Sequence, residues 1–110
     1  MYGYMSAVDN LKLYAKIRNV DYKAVYDSLE MVGLKKSMNQ KVSKYSLGMK
    51  QRAGLALSLL HSPKVLILDE PTNGLDPVGI KDLRSILKKL AKETGTAILV
   101  SSHILSEMEL

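Results

Sequence analysis

The sequence VLILDEPTNGLD occupies residues 65–76 and predicts a strand that ends in a turn. Its first four residues are all branched and apolar, which is typical of a strand buried on both faces, because a half-solvated strand would alternate. Two adjacent carboxylates, Asp69 and Glu70, follow this run, and Pro71 and Gly74 then interrupt regular structure. Ligands of open α/β sheets bind outside the carboxyl ends of the strands, so we expect the chemistry there. The alternative interpretation is a buried strand with a solvated acidic end.

Composition excludes several classes of protein. The chain has 110 residues, and its apolar fraction of 46% is ordinary for a globular protein. It contains no cysteine, which excludes a disulfide framework and a thiolate metal site and suits a reducing compartment. Its apolar runs fall well short of the roughly 18 residues that span a bilayer, and no signal segment is recognised. We therefore expect any membrane association to come through a partner.

The net charge of +5 is unevenly distributed. Residues 1–62 contain ten Lys and Arg against four Asp and Glu, a net +6, whereas residues 63–110 contain six against seven, a net −1. A basic half can bind nucleic acid or an anionic membrane surface. However, the lysines are scattered at helical spacing, and the aromatic residues are all tyrosines that offer no stacking platform. We expect a solvated helix face and no nucleic-acid partner.

Hydrophobic periodicity predicts an α/β chain in two parts, residues 1–62 and 63–110. Serine or aspartate before the first two helices is a predicted N-cap, and residues 35–44 are predicted to form an irregular connector. A strand, a helix and a strand in the second part make a βαβ unit, so its two strands should be parallel. The predicted elements are helices at about 7–19, 22–32, 46–60 and 78–92, and strands at 65–68 and 97–100.

A second segment with chemical potential, YSLGMKQR, occupies residues 45–52, about twenty residues before the acid pair. A serine hydroxyl and free backbone amides at a helix N-terminus form an anion site, which the helix dipole reinforces. Ser46 and Gly48 are the residues suited to approach a phosphate. The alternative is that Ser46 is an ordinary N-cap.

A third segment, Ser101-Ser102-His103, follows the second predicted strand, where a ligand-facing group is expected. Histidine suits a site beside a phosphate because it can both donate and accept hydrogen bonds near neutral pH. A structural histidine is the alternative.

Taken together, these segments resemble those of ABC-type ATPases. Residues 65–70 resemble the Walker B segment, residues 73–76 the D-loop and residues 45–52 the signature motif, and His103 matches the switch histidine. The variant Gly-Met-Lys-Gln-Arg at residues 48–52 is similar to that of exporters of the bacitracin-resistance and lantibiotic-immunity type. Relative to the usual Leu-Ser-Gly-Gly-Gln, this sequence departs at Leu47 and Met49, which follow Ser46 and Gly48.

The resemblance implies ATP and Mg²⁺ as cofactors and assigns a role to each candidate residue. It assigns the metal to Asp69, usually through water, and the general base to Glu70. It assigns contact with the terminal phosphate to His103. The remaining residues assigned to nucleotide binding are Ser46, Gly48, Gln51 and Asp76. An ordinary turn in which Asp76 caps the following helix is an alternative compatible with that assignment.

The implied architecture is part of a P-loop NTPase (RecA-like) core with parallel strands, preceded by the ABC helical subdomain and truncated at both ends. Residues 1–62 would be the helical (signalling) subdomain with the signature motif, and residues 63–110 part of the core. No Gly-x-x-x-x-Gly-Lys-Ser/Thr loop occurs in the chain, and no glutamine loop is found. We therefore expect a fragment that does not hydrolyse ATP alone and whose two-stranded sheet is partly uncovered.

The resemblance also implies partners. The parent would be an ATPase subunit that powers the export of peptide antibiotics from the cytoplasmic face of the membrane, as a peripheral protein. Its partners would be a transmembrane permease subunit, against which residues 2–13 would dock, and a second nucleotide-binding subunit in a homo- or heterodimer. The alternative is a soluble ABC-type ATPase that acts on the ribosome or on nucleic acid, although ribosome-acting relatives usually have histidine where Gly74 stands.

Overall fold

The computed structural model describes residues 1–101 of the chain. The chain divides into two compact units, one spanning Met1–Ser62 and the other beginning at Pro63. Within the described residues, no helix combines the length and the hydropathy that a bilayer-spanning segment needs. The interpretation of the units as a helical subdomain and a RecA-like core stays a prediction.

Three helices form the first unit, and each begins after a residue that caps it. They are α1 (Ala7–Arg18), α2 (Tyr22–Met31) and α3 (Leu47–Leu59). The side chain of each N-cap residue accepts a backbone N–H, at 3.1 Å for Ser6, 2.9 Å for Asp21 and 3.2 Å for Ser46. Such a bond satisfies one of the amide donors that the first turn of a helix leaves unpaired. The predicted caps of the first two helices are therefore confirmed.

The core of the first unit is apolar and lies between the three helices. Helix α2 packs against both α1 and α3. The side chains at the centre of this packing are fully buried: Leu11, Ala15, Val25, Leu29, Val32, Ala53 and Ala56.

The connector between α2 and α3 is more regular than the sequence predicts. It contains two short 3₁₀ turns, at Lys35–Ser37 and Val42–Lys44. It also pairs with the start of the chain through an antiparallel bridge between Ser6 and Lys41. The prediction of an irregular connector was wrong, because residues before α1 supply hydrogen bonds that no local pattern reveals.

The second unit is a βαβ unit. Strand β1 (Val65–Asp69) is followed by α4 (Pro77–Thr94) and β2 (Ala97–Ser101). The strands pair in parallel, as predicted, with Val65 opposite Ala97 and Asp69 opposite Ser101. Helix α4 packs against β2 and buries three leucines that recur at helical spacing, Leu83, Leu87 and Leu90.

The two strands are not buried on both faces, which corrects the first prediction. Burial alternates along them, so that Leu66 is only 6% exposed whereas its neighbour Ile67 is 70% exposed. Val65 and Leu99 are also exposed, at 54% and 57%. One face of the sheet is covered and the other carries exposed apolar side chains, as expected for the two-stranded sheet that residues 1–101 form.

Candidate functional site

The acid pair lies where β1 ends. Asp69 is the last residue of the strand and lies opposite Ser101 of β2. The Glu70 amide donates a hydrogen bond of 2.6 Å to the Ser101 carbonyl oxygen, which continues the ladder one residue further. Both acidic residues are exposed. The backbone of the two carboxylates is therefore held at the carboxyl edge of the sheet, where ligands of such sheets bind.

Glu70 has an unusual backbone conformation. Its φ is 44°, in the left-handed region that favours glycine and costs other residues about 1–2 kcal/mol. Hydrogen bonds hold the residue on both sides, since its carbonyl oxygen also accepts from the Asn73 amide at 3.1 Å. Strained residues that their surroundings hold in place concentrate at functional sites. The conformation supports a functional role for Glu70.

Asp76 ends the turn that follows the acid pair. Its Oδ1 accepts a hydrogen bond of 2.8 Å from the Gly79 amide, so it caps α4. A Cβ at position 79 would lie 3.1 Å from that same Oδ1, which explains why the cap closes over a glycine. The structure thus confirms Asp76 as a helix cap, and its nucleotide contact stays a prediction.

The structure confirms Ser46 as the N-cap of α3, and its contact with a phosphate stays a prediction. Its Oγ accepts the Met49 N–H at 3.2 Å and caps α3, and the residue is exposed. A serine hydroxyl that accepts one hydrogen bond still has its own hydrogen to donate. The amides of Leu47 and Gly48 lie in the first turn, where no intrahelical acceptor exists. The cap therefore uses an acceptor of Ser46, and a phosphate would use its donor.

The other two predicted residues of this segment lie on the same helix. Gly48 is partly buried in the first turn of α3, and its carbonyl oxygen accepts from Arg52 Nε at 3.4 Å. Gln51 is partly buried in the second turn. The structure thus groups Ser46, Gly48 and Gln51 on two turns of one helix.

The remaining predicted residues are distributed over the chain. Asp69, Glu70 and Asp76 lie in the second unit, and the three residues of α3 lie in the first. His103 lies outside the described residues. Joint action of the two groups therefore stays a prediction.

The carboxylates fit one kind of metal site and not another. Within residues 1–101, no group of three or more His, Cys, Asp or Glu side chains is arranged to hold a metal ion. Magnesium keeps several waters and is usually bound through one or two carboxylates together with substrate phosphates. The single exposed carboxylate of Asp69 at a strand end fits an ion shared with a phosphate, and it does not fit a cage made of protein ligands alone.

A family model covers nearly the whole chain. The model described as "AAA domain, putative AbiEii toxin, Type IV TA system" matches residues 2–109. The chain belongs to this AAA-domain family.

The chain is also similar to several curated ATP-binding proteins of transporters. It is 54% identical over 111 residues to the ABC transporter ATP-binding protein YhcH of Bacillus subtilis (strain 168), covering 100% of this chain and 36% of that protein. It is 51% identical over 109 residues to the bacitracin transport ATP-binding protein BcrA of Enterococcus faecalis, with shares of 98% and 35%. It is 50% identical over 109 residues to the lantibiotic transport ATP-binding protein SrtF of Streptococcus pyogenes, with shares of 99% and 47%. The resemblance to this group is confirmed, and the chain spans between about a third and a half of these relatives.

Solved structures confirm the predicted fold class. A dimeric structure of MJ0796, a bacterial ABC transporter cassette, has a TM-score of 0.77 and 25% identity, covering 98% of this chain and 50% of that one. The structure of cbiO1 from Clostridium perfringens has a TM-score of 0.80 and 32% identity, with shares of 91% and 41%. This chain thus has the α/β fold of part of an ABC cassette.

Sequence reasoning missed two buried polar side chains of the first unit, those of Tyr45 and Asn10. Tyr45 is buried, and its hydroxyl donates a hydrogen bond of 2.6 Å to the Ser37 carbonyl oxygen. Burial raises the pKa of the Tyr45 hydroxyl. Asn10 is buried inside α1 and bonds to the residues that precede that helix. The signal for Asn10 was a polar residue among the inward-facing residues of α1, which are otherwise apolar.

Proposed function

We propose that the full-length protein is the ATP-binding subunit of an ABC exporter and that it hydrolyses ATP to power export. The observation that carries the proposal is the acid pair, with Asp69 paired to β2 and Glu70 in a strained conformation immediately beyond it. The names of two relatives, a bacitracin and a lantibiotic transport ATP-binding protein, support peptide antibiotics as the exported class.

Each residue has a chemical task in this proposal. Asp69 would hold Mg²⁺, which supplies positive charge against the phosphates when it is bound. Glu70 would accept a proton from the attacking water, as a general base does. The Ser46 hydroxyl and the Gly48 amide would donate hydrogen bonds to phosphate oxygens at the start of α3. The contacts that complete the site are assigned by sequence position to Gln51, Asp76 and His103.

The proposed site is shared between two nucleotide-binding subunits, in a homo- or heterodimer. One subunit would supply Asp69, Glu70 and His103, and the other would supply Ser46 and Gly48. The dimeric form of the MJ0796 cassette supports this assembly. That cbiO1 is part of the ABC transporter complex cbiONQ supports a permease partner and a peripheral position at the cytoplasmic face of the membrane.

The general-base assignment is tested by Glu70→Gln in the purified full-length protein. General acid–base catalysis contributes about 10²–10⁴-fold, so steady-state phosphate release should fall by about that factor while an ATP-bound dimer accumulates. Glu93→Gln is the matched control, because Glu93 is exposed near the end of α4. Unchanged hydrolysis in Glu70→Gln would refute the assignment of the base.

The 110 residues alone provide a second test of the proposal. No phosphate loop occurs in this sequence, so titration with magnesium-ATP in a calorimeter should show no stable complex and no hydrolysis. A stable complex would show that the acid pair and the residues near it bind the triphosphate without that loop.

A further inference from the structure

Asn10 ties the first residues of the chain to α1. It is only 5% exposed, although it is a polar residue inside a helix. Its Nδ2 donates to the carbonyl oxygens of Tyr2 and Ser6, both at 2.9 Å, and lies 3.4 Å from that of Met5. Its Oδ1 accepts the Tyr2 N–H at 2.7 Å. Nearly the whole hydrogen-bonding capacity of this amide is therefore spent on residues 2–6, which we call the N-terminal segment.

The N-terminal segment in turn holds the connector that precedes α3. The Val42 amide donates to the Met5 carbonyl oxygen and the Ser43 amide to that of Gly3, each at 3.0 Å. A Cβ on Gly3 would lie 3.5 Å from the Cβ of Ser43, so the two backbones are in close contact. Residues 42 and 43, at the end of the connector, are thus anchored by backbone bonds to a segment that Asn10 fixes.

The anchored end of the connector leads directly into residues 45–52, which resemble the signature motif. The Tyr45 amide donates to the Val42 carbonyl oxygen at 3.0 Å, and the Tyr45 hydroxyl donates to Ser37. Ser46 follows at once and begins α3. A continuous series of hydrogen bonds inside the first unit therefore runs from Asn10 to the residue before Ser46.

We propose that Asn10 is a positioning residue for Ser46. By fixing the N-terminal segment, Asn10 sets the backbone path that enters α3 and so the direction of the Ser46 hydroxyl and of the first-turn amides. The inference rests on the proposed function, in which these groups bind the nucleotide held by the partner subunit. The core of α1, α2 and α3 is packed through apolar side chains, so loss of the Asn10 amide should loosen residues 42 and 43 without dissolving the core.

The experiment uses the full-length protein carrying Glu70→Gln, in which ATP-bound dimers are expected to accumulate. Asn10→Ala should raise the dissociation constant of the ATP-dependent dimer about tenfold in sedimentation, which corresponds to about 1.4 kcal/mol. The affinity of the monomer for magnesium-ATP should stay within about twofold, because Asp69 belongs to the other unit.

The matched control is Val25→Ala. Val25 is fully buried on α2, so its truncation destabilises the first unit through packing and removes no hydrogen bond of the connector. Its dimer dissociation constant should stay within about twofold of the parent value. In hydrogen exchange, Asn10→Ala should deprotect the Val42, Ser43 and Met49 amides, and Val25→Ala should not do so selectively.

Three results separate the possibilities. Equal weakening of the dimer by Asn10→Ala and Val25→Ala overturns the positioning role and leaves Asn10 a structural residue. An unchanged dimer in Ser46→Ala contradicts the proposed function on which the inference rests. If Asn10→Ala does not fold, Tyr45→Phe tests the other end of the same series, and a dimer unaffected by loss of that hydroxyl overturns the proposal.

Discussion

The two units hold their site residues by different means. Ser46 begins a helix whose inward residues are fully buried, and its connector is bonded to the start of the chain. Asp69 ends a strand on which Ile67, two residues earlier, is 70% exposed. The segment that begins at Ser46 is thus held by contacts within its own unit. The acid pair instead depends on a sheet whose second apolar face the described residues leave open.

The largest expected effect is on the free energy of unfolding, and it distinguishes the buried core of the first unit from the exposed face of the sheet. In the 110-residue chain, Leu29→Ala should lower the free energy of unfolding by about 2–5 kcal/mol, because Leu29 is fully buried and its truncation leaves a cavity. At concentrations at which the chain is monomeric, Ile67→Ala should change it by no more than about 0.5 kcal/mol, since most of that side chain is then in water. Urea unfolding followed by circular dichroism measures both. A large loss from Ile67→Ala would show that the open face is covered in solution.

The next effect concerns self-association through the open face. An exposed apolar sheet surface is a predicted association site, so the 110-residue chain should self-associate, and Ile67→Lys should raise its dissociation constant at least about tenfold in sedimentation. Ile17→Lys is the matched control, because Ile17 is 72% exposed but lies on α1 of the first unit. If both variants weaken association equally, the sheet face is not the contact.

A smaller effect is expected from the cap of α3. Ser46→Ala should lower the free energy of unfolding by about 1 kcal/mol, because the Met49 amide loses its acceptor. Ser46→Gly should lower it by only a few tenths of that amount, about 0.3 kcal/mol. The same urea experiment measures both variants. A loss from Ser46→Gly as large as that from Ser46→Ala would mean that Ser46 is held by something other than its capping bond.

The smallest effect is a dependence on alkaline pH that belongs to the first unit. All six tyrosines lie in residues 1–62, and burial raises the pKa of Tyr45 above its ordinary value near 10. The unfolded chain then loses the proton first, so stability is complete below about pH 10 and falls as pH rises through the higher folded value. Tyr45→Phe should fall less steeply. The pKa values of Lys12 and Lys23 are also raised, by the Tyr26 hydroxyl and by Asp27 respectively. The parent chain and the Tyr45→Phe variant share these effects, so they do not change the difference between the two. Identical slopes would contradict the role of Tyr45.

Local patterns predicted the elements and most caps. Apolar residues at helical spacing and a serine or aspartate before each helix act within one or two turns, so α1, α2, α3 and α4 and the caps at Ser6 and Asp21 follow from neighbouring residues alone. Parallel pairing followed from the βαβ order.

Features set by distant residues were not predictable in the same way. Four branched apolar residues predicted a strand buried on both faces, whereas the count of two strands predicted a partly uncovered sheet, and the exposure of Ile67 agrees with the second prediction because burial depends on what covers each face. The connector was predicted to be irregular from its local sequence. Its hydrogen-bond partners, such as Gly3 and Met5, lie almost forty residues earlier, so a local pattern does not reveal them. Within the candidate site, residue types and order came from the sequence. The left-handed backbone of Glu70 and the hydrogen bonds of Asn10 required the structure.

The left-handed backbone of Glu70 has a consequence for selection experiments. A library screened only for thermal tolerance should enrich glycine or asparagine at position 70, since these residues adopt that conformation with little steric conflict. Under the proposed function, a library of the full-length protein screened for ATP hydrolysis should keep glutamate. Opposite enrichment at this codon would then measure how much stability the proposed general base costs.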